Sequence, residues 1–395
     1  MDIRLMPFAG IDNVSDDTAL RRGGEVPAVF ARDAVNLDAT SDGGLRLRPG
    51  LRKVSASRLR DLWHSPLHGD TFARDEGGYL VRVDRADWST ERLGYVGDGE
   101  LAYMEQGMQV LVSGAEGLFR FDGASLAPLS LPVPPAPMVS LGDDGSLPAG
   151  RYSLAVSWSR GGLESPLSAL AAVEVPAGRG LTVTLPMCFD ASVAQVTLYC
   201  SEPNGGRLQR LNSYPISTSL VAVPALGALG AEPRFAHMEP MPGGRYLAHW
   251  QGRLLTARRN VLRFSEPMAY HVHDPRHGFV QLPQRITFVA PVDGGVWIGQ
   301  VDHVAFLRGV DLRELNLERR RTAAPVPGSA LLVDSNVLGD QAGGRAGAAW
   351  LAANGHVLGT ADGAVIEPRA RQVAGIHGAA GQTVAIGSKL LSIVR

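Results

Sequence analysis

A single short phrase recurs through this chain and limits what it can fold into. It consists of an apolar triplet, a few small or polar residues, a second apolar triplet, and then an acidic or Pro/Gly stop. The clearest copy is QGRLLTARRNVLRFSEP (251–267), where Leu254, Leu255 and then Val261, Leu262, Phe264 flank Arg258-Arg259-Asn260 and the run breaks at Pro267. Two short runs of branched and aromatic residues around an Asn-containing link read as a β-hairpin. The phrase returns as HGDTFARDEGGYLVRVD (68–84), MQVLVSGAEGLFRFDG (108–123), GGVWIGQVDHVAFLRGVD (294–311), GHVLGTADGAVIEP (355–368) and GQTVAIGSKLLSIV (381–394). Copies that follow directly are spaced by about 40 residues, near the length of one four-stranded propeller blade. No WD-type dipeptide accompanies them, so the periodicity itself carries the reading.

Composition agrees. With 47 Gly, 26 Pro and only 19% charged residues, the chain is rich in turns and poor in amphipathic helical patterns, which points to an all-β protein. At 395 residues it makes two or three domains, or one large β architecture with an insertion. A formal net charge of -1 argues against a dedicated nucleic-acid-binding protein with a strongly basic face, although it leaves room for a local basic patch. No apolar run reaches the roughly 18–20 residues of a membrane span. DIRLMPFAG after Met1 lacks the basic and apolar regions of a signal peptide, and synthesis in a cytoplasm is expected.

Taken in order, residues 1–144 hold an N-terminal hairpin and the first blades. Ala34–Leu37 and Leu45–Leu47 flank a turn at Asp42-Gly43-Gly44, and Arg48-Pro49-Gly50 stops the second strand. This hairpin is expected to complete the last blade and so close the ring. Clustered prolines make Leu131–Pro137 a stiff connector, and Asp143-Asp144-Gly145 reads as a turn. Residues 145–226 then change rhythm. Tyr152, Leu154, Val156 and Trp158 alternate along one strand, and Ala171–Val175, Leu181–Leu185, Gln195–Tyr199 and Leu208–Tyr214 follow as further strands, the pattern of a small β-sandwich. Residues 227–395 resume the hairpin phrase, loosening between Arg313 and Ala346 into an irregular blade or a long loop. The fold expected is a β-propeller of about five or six blades carrying an inserted sandwich.

Sites are sparse. In YHVHDPRHG, His271 and His273 share one face of an extended segment, with Asp274 and His277 nearby, a metal-ligating arrangement. Pro275 and Gly278 mark a loop, however, so the reading is a solvated or interface loop, with no metal and no cofactor expected. Arg319, Arg320 and Arg321 form the densest positive stretch; they suit phosphate contact in a DNA channel, or a solvated or intersubunit face. Cys188 and Cys200 are read as two buried thiols, with pairing as the alternative. Nucleophile elbow, Walker A and His-Glu-x-x-His motifs are absent, and no catalytic residue is assigned. Glu266 and Glu367, each before a Pro at a strand end, are read as turn residues; paired in a funnel they would instead serve a glycosidase. The six Trp are spread one per repeat or domain, which suits core filling better than a glycan platform.

Three stretches resemble a known group. DAVNLDATSDGGLRLRPGLRKV (33–54) resembles an N-terminal signature of virion proteins of tailed bacteriophages. At 150–201, GRYSLAVSWSRGGLESPLS followed by VTLYCSEPNGGRL is similar to their fibronectin-III-like insertion, with Cys200 standing where an Arg is common. LRFSEP (262–267) resembles the end of a blade strand in the same group. The resemblance implies the β-propeller tail nozzle or packaged-DNA stabilisation proteins of short-tailed phages. It implies a structural virion protein that forms a homo-hexameric ring at the tail's distal end, below portal and adaptor. Such a ring extends or closes the DNA channel, contacts adaptor and fibre proteins, and touches DNA transiently and without sequence reading. The alternative expectation is a propeller that binds or cleaves glycans at the host surface.

Overall fold

The computed structural model describes residues 7–23, 27–40, 44–48, 50, 52–335, 345–386 and 389–395. Its body is a series of antiparallel four-stranded meanders, the blades of a β-propeller. Blade 1 comprises Arg60–His64, Thr71–Arg74, Tyr79–Val83 and Thr90–Tyr95; blade 2, Ala102–Gln106, Gln109–Gly114, Gly117–Phe121 and Leu126–Pro128. Blade 3 comprises Arg245–Trp250, Arg253–Arg258, Val261–Phe264 and Phe279–Gln281; blade 4, Ile286–Val292, Gly295–Gln300, Val304–Arg308 and Asn316–Arg320. Blade 5 is Leu331–Val333, Gly347–Ala352, Gly355–Gly359 and Val365–Ile366, and a two-stranded sheet of Gly381–Ile386 and Lys389–Val394 follows. The loosened stretch after Arg313 thus supplies the last strand of blade 4 and the first of blade 5, with 336–344 outside the described residues.

In blades 1 to 4 the recurring phrase is the pair of middle strands; in blade 5 it covers the third and fourth strands, and its last copy is the two-stranded sheet. In blade 3, Arg258 pairs Val261 across a two-residue turn, and Arg259 takes a φ of +56° to make it. The middle strands of blades 2, 3 and 4 bury both faces because a neighbouring blade lies on each side. Phe72 and Leu80 of blade 1 pack with Val110, Val112 and Phe121 of blade 2, and Leu111 and Leu118 turn the other way onto Leu254 of blade 3. Leu255 and Phe264 meet Val296, Ile298 and Leu307 of blade 4, while Trp297 and Phe306 meet Trp350 and Val357 of blade 5. Four Trp, at 158, 250, 297 and 350, are buried, and Trp63 and Trp88 half-buried. First strands of successive blades also meet: Ala102–Gln106 with Arg245–Trp250, that strand with Ile286–Val292, and that with Leu331–Val333. The first strand is therefore the inner one and the fourth strand the rim.

Between blades 2 and 3 the chain leaves to build a two-sheet sandwich, fibronectin-III-like in layout. One sheet orders Met138–Leu147, Arg179–Thr184 and Leu220–Val223; the other is built on Gly150–Arg160, flanked by Gln195–Ser201 with Leu208–Pro215 on one side and by Leu163–Glu164 and Ala171–Val175 on the other. Tyr152, Leu154, Val156 and Trp158 point between the sheets and are buried with Leu181, Val183, Val196 and Leu198. The first strand begins at Met138 and carries Asp143-Asp144-Gly145, expected as a turn, inside it; the register breaks there, between Gly142 and Leu147.

Ring closure differs from expectation. The N-terminal strands Leu37–Ala39 and Leu45–Leu47 do pair with each other, with Asp42 and Gly43 of the expected turn and Pro49 of the stop outside the described residues. They form a separate two-stranded sheet and add to no blade. The N-terminal region is instead tied to the C-terminal one by Asn13. Its amide donates to Ala374 O at 2.9 Å and accepts from Ala374 N at 2.9 Å, while its backbone N–H donates to Gln372 O at 2.9 Å.

Candidate functional site

The candidate site is the contact between distant parts of the chain where the sandwich sits on blade 3. It starts with the local chemistry of ESPLS (164–168). Pro166 has no backbone donor, so this segment cannot continue as an ordinary ladder strand beside Gly150–Arg160. Two hydroxyls replace the missing pairing: Ser165 Oγ accepts from Trp158 N at 2.9 Å and Ser168 Oγ from Val156 N at 3.0 Å. Each hydroxyl passes its own proton to a carbonyl, that of Pro166 at 2.8 Å and of Ala169 at 2.9 Å. The same stretch holds Glu164, whose Oε1 accepts from Ser157 and Tyr199 hydroxyls, both at 2.7 Å. Burial, and then that bond to the carboxylate, push the Tyr199 phenol up, so it remains the donor.

Glu164 also presents its backbone carbonyl to the propeller, where His271 Nε2 lies at 2.8 Å. A carbonyl only accepts, so Nε2 carries the proton. The His271 ring is buried edge-on to Phe235 at 5.2 Å, and burial pulls its pKa below the usual histidine value. Its backbone carbonyl accepts from Ser130 Oγ at 2.6 Å and Met241 N at 2.9 Å, gripping both linkers of the insertion. YHVHDPRHG is thus an interface loop rather than a solvated one: His271, His273 and Asp274 are buried, while Arg276 and His277 are exposed. Asp274 is held by Arg276, at 3.0 and 3.1 Å, and this bond lowers its pKa. His273 has no hydrogen-bond partner on either ring nitrogen and lies 3.9 Å from Glu239. Among the described residues, no three His, Cys, Asp or Glu gather as metal ligands.

The arginine run lies elsewhere: Arg319 and Arg320 end the fourth strand of blade 4, on the rim, and Arg321 follows it directly. Arg319 and Arg321 are exposed. Arg320 turns to the opposite face, ion-paired to Glu318 and over the Phe306 ring at 5.8 Å. Arg308 completes the group, bonding Glu318 at 2.7 Å and Asp362 O at 2.9 Å. The Arg308 bond holds the Glu318 carboxyl below its usual range. Two of the three arginines therefore offer unburied charge to an outside partner, while the third is committed inside the blade.

Glu266 and Glu367 belong to blades 3 and 5, each with its own partner: Arg253 at 3.9 Å and the Thr322 hydroxyl at 2.6 Å. Cys188 and Cys200 are both free thiols; Cys200 is buried, which pushes its pKa up to about 11, and Cys188 is half-buried. Two joints have no sequence signal pointing to them. One is the Asn13 clasp. The other is Ser113, whose hydroxyl donates to Gly244 O at 2.5 Å and accepts from Gly244 N at 2.8 Å, fastening blade 2 to blade 3 across the insertion. Both join residues more than a hundred positions apart, which a local pattern does not reveal.

No protein-family model matches the chain, and no curated protein matches it. Among solved structures it is similar to BBS1N, crystallised in complex with ARL6DN, at 12% identity and a TM-score of 0.34, over 86% of this chain and 90% of that one. It is also similar to Saccharomyces cerevisiae Sqt1, at 10% identity and a TM-score of 0.22, over 79% of this chain and 96% of that one. At these scores neither likeness bears on function; the propeller description rests on the strand order itself.

Proposed function

We propose that the chain is a structural virion protein that forms a ring at the distal end of a short phage tail, a tail nozzle. The observation that carries this reading is a propeller interrupted between its second and third blades by a sandwich whose ESPLS segment is part of its framework. In the phage group resembled above, the same segment marks the insertion. On this reading the chain is not an enzyme, and it acts through its shape. Six copies extend or close the DNA channel, with adaptor and fibre proteins bound around them. Arg319 and Arg321, exposed on a blade rim, meet phosphates of passing DNA or acidic groups of a neighbouring subunit, in either case without reading sequence. Synthesis is in the host cytoplasm and residence is in the virion. Labelled protein followed into purified tails tests this. About six copies per tail are expected from the ring symmetry; absence from tails, or a single copy per particle, refutes it.

A further inference from the structure

Every blade from 1 to 5 has four strands, but the sheet that follows blade 5 has two. In its register Val384 faces Leu391 and Gln382 faces Ile393, so these residues and Ile386 share one side. The opposite side is spoken for. Thr383 and Ser392 share a 2.7 Å hydroxyl bond, Ser392 meets His356 at 2.8 Å, and Leu390 packs on Val333 and Ala349 of blade 5. The outward side is apolar yet open: Val384, Ile386, Leu391 and Ile393 are between 38% and 62% exposed. Since Gly381–Ile386 is the strand that touches the first two strands of blade 5, Lys389–Val394 leaves, among the described residues, a free outer edge. Free edges of apolar sheets recruit further strands.

The N-terminal hairpin is the complementary half. It too is a lone two-stranded sheet, with Leu37 opposite Leu47 and Ala39 opposite Leu45. That pairing sets Leu37, Leu45 and Leu47 on one side. Leu45 and Leu47 are 50% and 74% exposed. Within one chain the two halves are not paired, and each keeps an apolar side in water. Placed edge to edge with those sides aligned, they make a four-stranded sheet like the other blades, with one continuous apolar face.

We infer that the C-terminal sheet is an acceptor for the N-terminal hairpin of a second copy of this chain, completing a sixth blade between subunits. Donor and acceptor are different surfaces, so the contact is heterologous and propagates head to tail, the type of interface that closes into a ring. The inference rests on the ring reading above and gives it a mechanism.

Full-length protein carrying both Leu47→Cys and Ile393→Cys, in a Cys188→Ser background, tests this with a short flexible bis-maleimide. Both positions are exposed, so the substitutions spare the core, and each single variant controls for chance collision. A ladder of covalent multimers from the double variant, and a heterodimer when the two single variants are mixed, are expected. A linked monomer, which reports closure within one chain, overturns the inference, and so does the absence of linking above the single-variant controls. The count of copies on purified tails reads the ring separately, so six copies without cross-chain linking would sink the exchange and leave the ring standing.

Discussion

The interface of blades 4 and 5 is the tightest test of the packing described here, and Gly359→Ala is the perturbation. Gly359 lies in the third strand of blade 5, and a Cβ built there falls 2.5 Å from Trp297 Cε2, 2.8 Å from Trp297 Nε1 and 2.8 Å from Trp350 Cζ3. Carbon atoms at ease sit about 3.5–4.0 Å apart. Neither indole has space to retreat, because both are fully buried with centroids 5.4 Å from each other. Overpacking of this kind costs about 1–3 kcal/mol. Displacing Trp297 also strains its 2.9 Å bond from Nε1 to Thr360 O, and an orphaned buried donor costs about 1–3 kcal/mol. The two costs overlap, so a loss of about 2–4 kcal/mol is expected. The assay is urea unfolding followed by tryptophan emission and far-ultraviolet circular dichroism, read as a lower midpoint at unchanged slope. Gly206→Ala, with no atom within 4 Å of its added Cβ, is the control and should stay within about 0.5 kcal/mol of wild type. A Gly359→Ala protein that unfolds with the wild-type midpoint would refute the blade 4–5 packing.

Two further outcomes are expected. Asn13→Ala removes both side-chain bonds to Ala374 at a surface site, costing about 1–2 kcal/mol locally; hydrogen exchange should speed up in Phe8–Ile11 and Ala28–Ala31 while blade amides keep their protection, and unchanged exchange there would show that the clasp holds nothing. Burial depresses the pKa of His271, His273 and His356 below 6.5, so the unfolded chain binds more protons as pH falls and stability drops below about pH 6.5, being fully present above it; a denaturation midpoint flat from pH 7.5 to about 5.5 would contradict this burial.

What was legible in the sequence was local. Hairpins with a short polar link were readable because both strands and the turn lie within about twenty residues, and the alternation of Tyr152 to Trp158 was readable because the sandwich buries one side of that strand. Met138–Leu147 was not readable as a strand: Asp143-Asp144-Gly145 carries a turn's chemistry, and the backbone accommodates it with a register break. The hydroxyl pairing in ESPLS was hidden for a related reason, since side chains there perform what backbone groups do elsewhere. The N-terminal hairpin was foreseen as an element but not in its partner, because strand propensity says nothing about which edge a strand will find. In YHVHDPRHG, polar composition suggested loop, yet what buries His271 and His273 lies far away in the chain. Phe235 and Glu164 cover the first, and no spacing announces them.

The position of the insertion follows from how blades 2 and 3 are joined. Gly243 and Gly244 end the linker that returns from the sandwich, and at Gly243 a Cβ would sit 2.7 Å from the carbonyl oxygens of both Gly114 and Gly117. The backbone of blade 3 can approach blade 2 this closely only because no side chain intervenes. Ser113 then fixes the approach by bonding both polar groups of Gly244. This joint uses no residue of the sandwich. The sandwich is held by a different set, Glu164 to His271 and Phe235 to the backbone of Leu167. Because the two sets share no residue, the propeller tolerates the sandwich at this point without relying on it for closure. The His271–Glu164 bond then fixes the sandwich to blade 3, and it needs His271 to donate from Nε2 while buried.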